Sequence, residues 1–492
     1  MKTRGLFLST LFLSAVFAGC SNNEEFNEIP VDNKNVQHES YMAINIVAPD
    51  ATGSRAADGG FAAGSEDENV VKDLVLVFFD KNGNFYDAQS PSFNWQEVDG
   101  TNPAVEKKSN VIVVFDDKEV KPASFVALLN TGKSDTEFEG KSLVDIKNMV
   151  SNYATLIGDE NYFVMSNAVY EDGGIQVTAP ITDDMICSDA ETAKANPAIA
   201  YVERVAAKLE ATASAEITID GKEITLDGSK VTLTPTITGM KFIHTASESN
   251  LLKNIDGFDA TDPFEGWNDA TNFRSYWANS YTGATYSSVS YEGTVKRTSL
   301  AEYANENTSE TSTKLLVTAT ISATENGKPV DIYKYKGYYY TAEGLNTYIA
   351  SILKDKSLKY IKDGVSGEEW ASVLTVTHPE GVEQWEGVIG VAAGVTVDET
   401  TKAEIEKLEK VLWWNEGKCY FYVPVEHFGG KTGVIRNHWY NLTINSVAGL
   451  GTPVADPNEP IVPEKIEEET YYVAAQVQIL KWKMVSQSVD LN

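Results

Sequence analysis

Short apolar runs of strand length, separated by turn residues, set the architecture of this chain. VKDLVLVFFD from Val71 and NVIVVFDD from Asn110 are apolar on both faces, and SFVALLNTG, YFVMSNAVY and VTLTPTITGMKFIH follow at intervals too irregular for repeats. Apolar runs of this length bounded by Gly, Pro, Asn and Asp read as strands packed inside a β-sandwich. Helices are few. In KSLVDIKNMV, Leu143, Ile146 and Val150 share a face behind Ser142 as N-cap; TKAEIEKLEKVL does the same with Ile405, Leu408 and Leu412, and Thr401 with Glu404 reads as a capping box. A third helix, from about Leu345 to Leu353, carries Leu345, Ile349 and Ile352. No run of strands alternates with helices as a parallel α/β sheet requires. The polar, turn-rich stretch at about 244–262 suggests a break between two sandwiches.

The first residues decide where such a chain works. MKTRGLFLSTLFLSAVFAGC places Lys2 and Arg4 ahead of an apolar run from Leu6 to Ala18, then small residues before Cys20. That is a secretory leader, too short to span a bilayer. A small-small-Cys ending is the pattern of bacterial lipoprotein leaders, which makes Cys20 a lipidation site; an ordinary leader with a fortuitous cysteine is the alternative. SNNEEFNEIPVDNKN, acidic and aperiodic, reads as a disordered tether, with Glu24 and Glu25 placed like the surface-export signal of Bacteroidetes lipoproteins.

Charge narrows the partners. The chain holds 40 Lys and Arg against 71 Asp and Glu, a formal net charge of −31, and loss of the leader makes it more negative still. Nucleic acid and anionic membrane surfaces are therefore poor partners. Besides Cys20 only Cys187 and Cys419 remain, without metal-knuckle or redox spacing, so no metal and no cofactor is expected. The five histidines, His38, His244, His378, His427 and His438, lie scattered, and neither a nucleophile elbow nor a phosphate loop is present, so the chain does not read as an enzyme. DKNGNFYD mimics the start of a calcium loop at Asp80, Asn82 and Asn84, but Asn82-Gly83 between two strands reads better as a two-residue hairpin turn. DGFDATDPFEGWND is either a calcium- or sugar-holding loop or a solvated one. Trp413-Trp414 is either a sugar platform or a pair with one member in the core, since neighbours on a strand face opposite ways.

The C-terminal region carries a family resemblance. GVIRNHWYNLTINSVAGLGTPVADPNEPIVPEK, from Gly433, and YYVAAQVQILKWKMVSQSVDL after it are similar to the C-terminal signature of the Bacteroidales fimbrillins, the stalk subunit of short fimbriae in particular. The leader, VKDLVLVFFDKNGNF and YVERVAAKLEATA resemble the family's N-terminal domain; residues of about 250–400 match weakly. The resemblance implies a mainly β fold of two tandem transthyretin-like β-sandwich domains with a few short helices. It implies a structural subunit of a surface fimbria, exported as an outer-membrane lipoprotein. An Arg-specific surface protease then removes the first strand, and strand exchange joins copies of the chain head-to-tail and to tip and anchor subunits in support of adhesion. A lipid-anchored glycan-binding protein is the alternative.

Residues of this sequence suit each step. YMAINIVAPD alternates Met42, Ile44 and Ile46 against Ala43, Asn45 and Val47, a strand with one core face. A small, polar stretch follows in which Arg55 is the sole Lys or Arg between Lys34 and Lys72, so cleavage is expected between Arg55 and Ala56. At the far end, Val473, Ala475, Val477 and Ile479 put apolar residues on odd positions. Leu480, Trp482 and Met484 shift to even before Val485, Val489 and Leu491 return to odd. A bulge would account for the slip. The alternative is that residues beyond about 480 form a donor strand for a neighbour's groove. The expected organisation is thus a leader at 1–19, a tether at 20–40, the strand and cleavable segment at 41–55, sandwiches at 56–245 and 246–480, and the donor strand at 481–492.

Overall fold

The computed structural model describes residues 39–48, 64–97, 107–116, 121–171, 175–257, 278–294, 299–323, 328–427, 431–463, 473–479 and 487–488. Its N-terminal unit begins with β1 (Glu39–Ala48), β2 (Leu74–Phe79), β3 (Phe85–Gln89), β4 (Gln96–Glu97), β5 (Lys107–Asp116) and β6 (Ser124–Leu129). Along the sheet the order is β3, β2, β6, Met165–Asn167, Ala198–Arg204, β1, β5, β4. The strand Ala198–Arg204 turns the corner: residues 198–201 pair with β1, and residues 202–204 pair with Met165–Asn167. The sheet therefore folds over itself, and the side chains of β1 and β5 meet those of β2 and β6 in one core. β2 is buried at every position because it serves two cores. Leu74, Leu76 and Phe78 face β1 and β5, while Val75, Val77 and Phe79 pack on Phe138, Leu251, Leu252 and Ile146 of α1 (Leu143–Lys147). That is why VKDLVLVFFD lacks alternation.

The C-terminal unit is a second sandwich. Ser299–Asn305, Ala206–Asp220, Trp439–Ala448, Val473–Ile479 and Gln487–Ser488 form one sheet, and a ten-stranded sheet containing Ser229–Ile243, Lys314–Ala323 and Lys418–Pro424 covers it. Leu209, Ala211, Leu442 and Ile444 meet Phe242, Val317, Ile321 and Phe421 between them. A satellite core centred on Trp370 gathers α3 (Ala342–Asp355) and α4 (Glu399–Glu406). The mainly β fold with few short helices is as expected.

Several local expectations are corrected. Ala206–Asp220 and Ser229–Ile243 pair within the C-terminal sheets, so strand pairing changes over at Val205 and not at 245. The polar stretch after Ile243 reads as a linker, yet its Ser249–Asn250 pairs with Val150–Ser151 of the N-terminal unit. α4 is capped by Asp398, whose carboxylate accepts the Thr401 amide at 2.7 Å, and Glu404 instead pairs with Lys356 and Lys407. An earlier carboxylate in reach of the first turn outcompetes the Thr401 hydroxyl. Leu412 lies in the strand Val411–Trp414, Val150 is in a strand and exposed, and Leu353 joins Leu345 and Ile349 in the core while Ile352 is only partly covered.

The Asp80 turn has three loop residues. Asp80 N–H donates to Asn84 O and Gly83 N–H to Asp80 O, both at 3.0 Å, with Gly83 at φ +77° closing the loop in the left-handed region. The Asp80 carboxylate accepts the side chain and backbone of Asn84 and the Asn82 amide, which hold its pKa below the usual range. Its oxygens thus serve the turn.

Candidate assembly site

β1 is the first strand among the described residues and sits in the interior of its sheet. On one side it runs antiparallel to β5 from Glu39↔Asp116 to Ala48↔Lys107; on the other it runs parallel to the strand Ala198–Arg204, from Ile44↔Ala198 to Val47↔Tyr201. Met42, Ile44 and Ile46 are fully buried among Val111, Val113, Phe115, Ala198, Ala200 and Val202. The alternation ESYMAINIVA thus delivers three large side chains to the core, with small alanines opposite Ile44 and Ile46 on the parallel neighbour. Burial of each is worth about 1.5–3 kcal/mol. Taking β1 away would leave an apolar slot with two unpaired backbone edges.

The edge of β1 away from β5 is also paired by a strap that sequence reading missed. Tyr41 N–H donates to Cys187 O at 2.7 Å and Cys187 N–H to Tyr41 O at 2.8 Å. The short helix α2 (Ala190–Ala195) that follows lies against β1, held by the Asp189 cap on Thr192. Asp189 three residues before Thr192 was the available signal, but two helical turns give no apolar period to detect. Within the β1–β5 ladder, Asn45 of β1 stands directly opposite Asn110 of β5. Asn110 is 2% exposed, and neither its Oδ1 nor its Nδ2 has a partner; the Oδ1 of Asn45 is buried and unpartnered too.

The chain re-emerges at Gly64 onto a second anchor. Glu68, 1% exposed, accepts the Ser65 amide at 2.7 Å, Lys208 Nζ at 3.0 Å and the Tyr303 hydroxyl. Arg204 donates to the Glu68 carbonyl at 2.9 Å and to Asn69. Burial alone would raise the Glu68 pKa, but the bonds from Tyr303 and Lys208 and the lysine charge outweigh it and hold the carboxyl below its usual range. Burial, with the bond to Glu68, pushes the Tyr303 hydroxyl up. The peptide between Ala48 and Gly64 is therefore fixed at both ends. Arg55 and Ala56 within it lie outside the described residues, as does Cys20.

The Arg436-Asn437-His438 segment builds the joint between the two sandwiches. Arg436, fully buried, pairs with buried Glu306 at 3.2 Å and donates to the carbonyls of Leu251 (2.9 Å) and Asn250 (2.5 Å). Asn437, at φ +57°, donates its amide to Ala206 O at 2.6 Å. Lys253 and Glu203, both fully buried, pair at 3.2 Å beside them, and burial raises the Glu203 pKa. At the chain end, Val473–Ile479 pairs antiparallel with Trp439–Ala448, and Gln487–Ser488 folds back onto Gln476–Val477. Leu480, Trp482, Met484, Val485, Val489 and Leu491 lie outside the described residues.

The remaining candidates resolve into packing where they are described. Trp414 is fully buried and donates to Leu450 O at 3.0 Å, while Trp413 stacks on Tyr333 at 5.8 Å in the satellite core. Most of DGFDATDPFEGWND lies outside the described residues. Cys419 is buried and Cys187 half-buried, both as free thiols. Among the described residues no three His, Cys, Asp or Glu side chains gather as a metal site.

Comparison with known proteins bears on the chain end. Residues 413–488 match the family described as major fimbrial subunit protein type IV, fimbrillin, C-terminal. No curated protein matches the chain. Similar solved structures include a fimbrial assembly protein from Parabacteroides distasonis, at 9% identity over 91% of this chain and 100% of that one, with a TM-score of 0.34. Another is a C-terminally truncated tip fimbrial protein from Porphyromonas gingivalis, at 10% identity over 89% and 99%, with a TM-score of 0.32. At such identities and scores neither likeness enters the argument. The segment that carries Arg436, the joint and the last paired strands therefore matches a fimbrillin C-terminal region.

Proposed function

We propose that this protein is a structural subunit of a cell-surface fimbria that is exported as a lipoprotein on Cys20, activated by cleavage between Arg55 and Ala56, and polymerised by strand exchange in support of adhesion. The fimbrillin C-terminal region carries the reading of a fimbrial subunit that assembles with others of its kind. The seating of β1 supports the finer part. It is the first strand among the described residues, lies between two strands from elsewhere in the chain, and supplies three buried side chains. Once the peptide after it is cut, no covalent link holds it in the slot. A strand from a neighbour replaces both its ladder bonds and its apolar face, and because that contact is head-to-tail it builds a filament.

The donor on this reading is the chain end from Leu480 onward. Among the described residues its resting contact is two residue pairs, between Gln487–Ser488 and Gln476–Val477, a short pairing that is inexpensive to break. The partners are other copies of this chain, tip and anchor subunits, an Arg-specific surface protease and, before processing, the outer membrane through the lipid. Trypsin treatment of the purified precursor tests the reading. Ladders on a gel with subunits beginning at Ala56 are expected, and Arg55→Ala should stay monomeric. Polymers whose subunits begin upstream of Met42 would refute it.

A further inference from the structure

Resting on that reading of the β1 slot, we propose that the facing pair Asn45 and Asn110 makes β1 a deliberately weak occupant, so that its apolar grip does not trap it in the slot after cleavage. The two residues are direct register partners across β1 and β5. Seating β1 removes Asn110 from water almost completely and leaves three polar atoms of the pair unpartnered: Oδ1 and Nδ2 of Asn110, and Oδ1 of Asn45. On one side the neighbouring register pairs of the same face are apolar, Ala43↔Ile112 and Tyr41↔Val114, and on the other Val47 is opposite Lys108; neither side supplies a hydrogen-bond partner to these three atoms. When β1 departs, both amides regain water. The dehydration of Asn45 and Asn110 is thus a cost carried only by the seated state, and it offsets part of what Met42, Ile44 and Ile46 contribute.

The pair also acts on register. Moving β1 by two residues along β5 would set Ala43 or Val47 against Asn110 while keeping Met42, Ile44 and Ile46 on the core side. A polar position inside an apolar ladder thereby distinguishes occupants by what they place opposite it. The slot favours an incoming strand that brings a side chain able to bond Asn110. The chain's own end carries Ser486-Gln487-Ser488 amid apolar neighbours, which meets that requirement in kind.

The test uses the full-length precursor with Asn45→Leu, Asn110→Leu and the double substitution, leucine being close to asparagine in shape and opposite in polarity. Each single variant is expected to raise the melting temperature of the uncleaved precursor, and the double more than either. After trypsin, release of the N-terminal peptide, followed by size exclusion and mass spectrometry, is expected to slow by about tenfold per amide replaced. If the single variants melt lower than wild type, the amides hold each other and the inference is overturned. Equal release rates from wild type and double variant overturn it as well. Retention of the peptide by cleaved wild type, with no polymer formed, would instead sink the strand-exchange reading, and the melting comparison still decides the role of the pair.

Discussion

Replacing Ile44 by alanine separates a strand that is structural throughout from one that is structural only before processing. Ile44 is fully buried, faces Val111 on one side and Ala198 on the other, and occupies an interior strand whose backbone is fixed on both edges. Large-to-small changes at such sites cost about 2–5 kcal/mol, depending on how far the surroundings collapse. Here the small neighbours Ala198 and Ala200 have nothing to extend into the gap, so a loss in the upper part of that range is expected for the uncleaved precursor. Urea unfolding of the precursor measures it. The same substitution should change the stability of cleaved, assembled subunits by less than about 0.5 kcal/mol, because residue 44 has left with its peptide. Equal destabilisation of precursor and assembled subunit would refute the idea that β1 departs. An unaffected precursor would refute the placement of Ile44 in the core.

Three further outcomes are expected. Because the folded-state pKa of Glu68 lies below its ordinary value near 4.5, its contribution is present above that value and is lost as pH falls through the folded pKa. Urea midpoints measured downward from about pH 6 should therefore fall more for wild type than for Glu68→Gln, and parallel curves would contradict the assignment. Arg436→Met leaves Glu306 buried without its partner and should cost about 3–5 kcal/mol in calorimetry or urea, whereas the paired change with Glu306→Leu should recover much of it. If Lys483 to Asn492 serve a neighbour, deleting them removes, among the described residues, the two-residue pairing of Gln487–Ser488 and should leave the precursor's melting within about 1 kcal/mol of full length, while abolishing assembly after trypsin. A loss of several kcal/mol would make the segment part of its own domain.

The strand runs, their two-faced burial, the Ser142 cap and the alternation of β1 were all legible from the chain. Each is a local pattern in which burial period or cap chemistry is written in adjacent residues. The Asp80 loop and α4 show the limit of local reading. In both, the right kind of element was evident, but its geometry turned on which of several nearby carboxylates or glycines won the competing hydrogen bonds. The assignment of residues 206–243 went astray for a different reason. Val205 joins two strands without a turn residue, so nothing local marks the passage from one sandwich to the next.

What the sequence by itself determined is that Met42, Ile44 and Ile46 share a face that must be buried, that the fold is built of sheets, and that a fimbrillin signature lies at its end. Only the tertiary structure decided that β1 sits between β5 and a strand some 150 residues away, beside a strap pinned at Cys187, with Asn45 opposite Asn110 and three of their amide atoms buried without partners. It alone decided that Arg436 and Glu306 meet across 130 residues at the joint. The physical reason is that side-chain period is a property of neighbours along the chain. The choice of partner strand is settled by closing long loops around a shared core, and no short window of sequence records it.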